Sequence, residues 1–116
     1  MATLLYNQNL VERIRTILEG HTGIIEKKLF GGVGFILHGN MACGVQGDDL
    51  IVRVGIDNND KALSQPFVRP FMAPGGKPMA GWVLVAPEGL GTDQYLQRWV
   101  ELGYEYASSL PKKELV

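Results

Sequence analysis

Short apolar runs cut by glycine-bearing turns fill residues 28–53, KLFGGVGFILHGNMACGVQGDDLIVR, and no other stretch so limits what the chain can become. Hairpin tips need residues that tolerate positive φ. Gly31-Gly32, Gly39-Asn40 and Gly47-Asp48 supply them between apolar runs at Leu29, 33–37, 41–45 and 50–54. Together with a run at 24–30, this spacing predicts four consecutive antiparallel strands. Glu26, Lys27 and Lys28 place the first of them near a sheet edge, where charge discourages pairing with another chain.

Alternation along the strands sorts side chains by face. Val33, Phe35 and Leu37 share one face and Ile36 takes the other, while Leu50, Val52 and Val54 oppose Ile51 and Arg53. A half-solvated sheet alternates cleanly between apolar and polar residues. Apolar residues on both faces therefore predict that the second face is also covered, by another helix or by a partner subunit, the latter being the favoured reading.

Residues 7–19 carry Leu10, Ile14, Ile17 and Leu18 at helical spacing, with Asn9 and Glu12 as a capping box and Gly20 as a positive-φ stop. Asp57 or Asn58 can cap a short helix running to Leu63. Pro66, Pro70, Pro74 and Pro78, with Gly75 and Gly76, predict a long irregular connection over 65–81, pinned by Phe67, Phe71 and Met79. A last strand is expected at 82–85. A final helix then starts at the N-cap Thr92, buries a stripe of Tyr95, Trp99, Leu102 and Tyr106 bordered by Leu96, Val100 and Leu110, and closes at Pro111. Residues 112–116 are expected to fray. The expected fold class is two-layer α+β, an antiparallel meander sheet packed by N- and C-terminal helices.

A chain of 116 residues suits one domain, here 1–116. A formal charge of −1 leaves no basic excess for phosphates, so nonspecific nucleic-acid binding is disfavoured. No apolar run approaches the roughly 20 residues of a bilayer span, and the opening residues lack a signal-peptide pattern, so a cytoplasmic protein without membrane attachment is expected. The single cysteine, Cys43, excludes an internal disulfide and any multi-cysteine zinc site.

Candidate chemistry is sparse, and no cofactor or metal is expected. FGGVGF resembles a phosphate cradle, which makes Phe30, Gly31 and Gly32 candidate contacts. It precedes a strand rather than a helix, however, and no GKS or GKT follows, so a turn is the better reading. His38 and Cys43 flank one hairpin, but alternation does not place them on a common face. Asp48, Asp49, Asp57 and Asp60 fit turns and caps better than an oxygen-ligand set. Arg53, among Ile51, Val52 and Val54, needs a carboxylate, backbone carbonyls or a ligand, with a structural ion pair favoured. Lys77 beside Arg69, with Trp82 as an aromatic wall, completes the candidate contacts.

LVERIRTIL in the opening helix, EKKLFGGVGFILHGNMACGV, GDDLIVRVG, GKPMAGWVLV and a closing helix ending in YASSLP follow one another in an order that resembles the N-terminal domain family of TfoX/Sxy competence regulators, in particular its single-domain members. The resemblance covers nearly the whole chain. It implies a two-layer fold similar to secretion-chaperone-like domains, no established catalytic residues, and a regulatory or interaction role, since full-length members control competence gene expression. The longer regulators carry a second domain that this sequence does not contain, and Leu29 stands where many relatives have methionine. The expected function is a non-enzymatic regulatory or protein-interaction domain, with a homodimer among its assemblies. The alternative is a small-molecule or anion-binding protein, or an enzyme, with a pocket near Arg53, Lys77 and Trp82.

Overall fold

The computed structural model describes residues 6–29, 31–73 and 75–113. Its elements are α1 (Gln8–Leu18), β1 (Ile24–Leu29), β2 (Gly32–Leu37), β3 (Asn40–Gln46), β4 (Asp49–Arg53), α2 (Asn59–Leu63), β5 (Val68–Met72), β6 (Pro78–Val85) and α3 (Asp93–Ser109), with single 3-10 turns at Ile56–Asn58 and Pro87–Leu90. The strands form one six-stranded sheet in the order β1-β2-β3-β4-β6-β5, antiparallel at every pairing. Helices from both ends of the chain pack on it, as an α+β fold requires.

The meander forms where turn chemistry allows it. Leu37 pairs with Asn40 across His38 and Gly39, whose φ values of 49° and 85° are those of the type I′ turn that matches strand twist. One irregularity breaks the ladder. Phe35 pairs with Cys43 and Ile36 with Met41, leaving Ala42 as an extra residue on β3. The bulge turns Ala42 toward the helices, where it packs with Leu37 and Ala107, and sends Met41 to the opposite face.

The connection expected over 65–81 is instead a β-hairpin. β5 lies at the sheet edge and Pro78 opens β6, the two places in a sheet where proline's missing N–H does least harm. Gly75 and Gly76, with φ of 94° and 84°, make the turn. This hairpin also changes the account of the second face. Met41, Ile51, Phe71 and Leu84 form a buried cluster there, with Leu29, Ile36, Met79 and Trp82 packed against it. Residues of both edge strands, β1 and β5, join this one cluster, so part of the apolar surface on the second face is buried within the sheet itself.

On the other face α1, α2 and α3 enclose the main core, which includes Ile14, Phe35, Leu50, Val52, Val83, Leu96 and Val100. The buried side of α3 is Leu96, Val100, Gly103 and Ala107, one position around from the expected aromatic stripe. Gly103 lets the helix approach the bulge: a Cβ there would lie well inside 3.0 Å of the Ala42 carbonyl oxygen.

The helix ends hold further corrections. Asn7, not Asn9, caps α1, its Oδ1 accepting from the Leu10 N–H at 3.0 Å, and Gly20 does not adopt positive φ. Asn58 makes no side-chain cap to α2; its amide donates to the Val54 carbonyl instead. Thr92 does cap α3, accepting from the Tyr95 N–H at 3.2 Å. Thr92→Ala is expected to lower stability by about 1 kcal/mol in urea denaturation. Beyond α3 the tail does not fray at once. The buried Asn40 amide donates to the Pro111 carbonyl at 2.9 Å, and the Lys113 N–H to the His38 carbonyl at 2.8 Å. No helix among the described residues is long and apolar enough to cross a membrane.

Candidate functional site

β4 ends in Arg53, which faces Trp82 across the β4–β6 ladder on the side of the sheet away from the helices. Its guanidinium carbon lies 5.0 Å from the Trp82 ring centroid and 5.5 Å from that of Tyr106, which reaches the end of the sheet from α3. Rings at this distance attract the cation through their quadrupoles. The expected ion pair is not found: the Arg53 side chain makes no salt bridge or hydrogen bond with any of the described residues. Below it opens a cavity of about 250 Å³ whose lining includes Met41, Phe71, Met79 and Trp82, with Lys113 also among the lining residues.

The other candidate contacts lie elsewhere. Arg69 is on the same face but pairs with Asp49, at the opposite end of β4. Lys77 is exposed in the β5–β6 turn and does not line the cavity. Gly31 occupies the β1–β2 turn at φ 75°. Gly32 is buried where a Cβ would strike the Val45 carbonyl, a packing role. Phe30 lies outside the described residues. The structure thus joins Arg53 to Trp82 and adds Lys113 and Tyr106, which sequence reading missed. Neither carries a local signal, since one depends on a tethered tail and the other on how α3 is rotated.

Other reactive groups have structural surroundings. Cys43 is wholly buried on the helix side, and burial pushes its thiol up to about 12. It is expected to resist a disulfide reagent in the folded protein and to react on unfolding. The sign of its pH effect follows from the raised value. Below the ordinary thiol value of 9.0 both states hold the proton, and between 9.0 and about 12 only the folded state does, so stability falls through that interval. The advantage of wild type over Cys43→Ala in denaturation is expected to shrink there. His21 stacks on Tyr104 with centroids 4.0 Å apart and meets Glu101 at 3.1 Å, which joins the end of α1 to α3. The Arg15 guanidinium pairs with Glu26 and holds its carboxyl below the usual range. No group of three or more His, Cys, Asp or Glu side chains that could hold a metal occurs among the described residues.

A second cavity, of about 310 Å³, lies between α2 and α3 and is lined in part by Lys61, Tyr95, Arg98 and Trp99. Its two cations are solvent-exposed, whereas Arg53 is half-buried between rings.

Neither a curated protein nor a solved structure gives a significant match to the chain. The family model of the TfoX N-terminal domain matches residues 16–107, a span that runs from α1 through the whole sheet and most of α3. Arg53, both of its flanking rings and all of the cavity lining except Lys113 fall within it, and the chain belongs to the TfoX N-terminal domain family.

Proposed function

We propose that the chain is a non-enzymatic regulatory domain that acts by binding, with the concave sheet face around Arg53 as its binding face. The observation that carries this reading is a cation held between two rings, over an apolar cavity, with no carboxylate partner among the described residues. A binding face needs shape and a few placed polar groups, and this one has both. A catalyst would need an activated nucleophile, a general base or a metal. The regulatory role implied by the TfoX resemblance points the same way.

The test is capture of the tagged chain from cells, wild type beside Arg53→Gln, with bound proteins and small molecules identified by mass spectrometry. The expected result is a companion held by wild type and lost from the folded variant. The same companions on both proteins, or a compound chemically converted by wild type, would overturn the reading. A second copy of the chain is one form the partner could take, docked on this same face around Arg53. Sedimentation as a single monomer across micromolar concentrations would remove that form.

A further inference from the structure

Resting on that reading, we propose that the concave cavity is a site for a small amphiphilic carboxylate, an organic acid whose carboxylate meets Arg53 and Lys113 and whose apolar body lies against Met41 and Phe71. A guanidinium carries five N–H donors in one plane. Trp82 and Tyr106 attract its charge but offer ring faces rather than the oxygen pair those donors match, and no described residue accepts a hydrogen bond from them. Arginine meets a carboxylate through two parallel N–H···O bonds, so the group this position lacks is a planar anion. Lys113 is a second cationic residue lining the same cavity, its backbone held by a bond to His38 and by the Asn40–Pro111 bond just before it. Neither cation has an ion pair among the described residues.

The floor of the cavity sets the rest of the ligand. Phe71 and Met41 are buried, and Met41 and Met79 supply flexible thioethers that adapt to irregular apolar shapes. A volume of about 250 Å³ equals that of roughly eight waters, which suits a short aliphatic chain or one aromatic ring. The glycine-rich turn that could have supplied phosphate-binding amides contributes only packing and chain reversal, which further favours a carboxylate.

The test is calorimetric titration of the full chain with hexanoate, beside acetate, 1-hexanol and inorganic phosphate. Hexanoate is expected to bind saturably at one site and to raise the melting temperature, while each control, lacking body, charge or carboxylate, binds at least tenfold more weakly. Arg53→Gln is expected to weaken hexanoate at least tenfold. Lys113→Gln, on the exposed tail where folding is not at stake, is expected to weaken it about threefold. No saturable heat with hexanoate, equal response to acetate, or unchanged affinity in both variants would overturn the proposal. Should hexanoate fail while a captured macromolecule still distinguishes Arg53→Gln, this inference falls and the binding reading stands. Should hexanoate bind and be recovered chemically altered, the site stands and the non-enzymatic reading falls.

Discussion

Leu96→Ala is expected to cost about 3 kcal/mol in urea denaturation with little change in slope, while its neighbour Tyr95→Ala changes stability by less than about 0.5 kcal/mol. Leu96 has no exposed surface and packs into the main core, whereas Tyr95 is 55% exposed. Truncating a leucine with no solvent contact loses both its transfer free energy and its packing, because the rigid sheet beneath cannot collapse into the space. The stripe of Tyr95, Trp99, Leu102 and Tyr106 invites the reverse ranking, since it is the bulkier of two stripes one residue, or about 100°, apart on the helix. A larger loss for Tyr95→Ala than for Leu96→Ala would mean that α3 is rotated from its position here. Circular dichroism of both variants would show whether the helix itself persists.

Gly103→Ala reverses the sign that helix propensity alone predicts. In an exposed helix interior, alanine for glycine stabilises by up to about 1 kcal/mol. At this position the added methyl would meet the Ala42 carbonyl, a backbone group with no rotamer by which to yield, with the Val52 side chain close behind. Relief requires α3 to lift from the bulge, which loosens Val100 and Ala107 on the same side of the helix. The expected net result is a loss of about 2 kcal/mol and a lower melting temperature. A higher one would show that the helix stands farther from the sheet.

The meander was legible because its turns have their own chemistry: glycine at positive φ leaves a mark in the sequence wherever the chain reverses. β5 was not, because Pro70 reads as a breaker unless the strand is known to lie at an edge, and edge position is a property of the assembled sheet. The Ala42 bulge left no local trace either, yet it decides that Met41 lines the cavity rather than the main core. Arg53 and Trp82 stood out singly, a charge among aliphatic residues and an aromatic at a strand start. Their pairing depends on register across the whole stretch from 54 to 81. Nearness in sequence misled for Lys77 and Arg69, since the hairpin holds one at its turn and gives the other to Asp49.

The strand order also bears on kinetics. Every pairing but one joins strands adjacent in sequence, and the exception is β4 with β6. Local hairpins close with little entropic penalty, so among the strand pairings the zipping of Leu50–Arg53 onto Trp82–Val85 is the one expected to slow folding most. Conservative truncations along that seam should slow refolding, whereas comparable changes in the β1–β2 hairpin should mainly hasten unfolding.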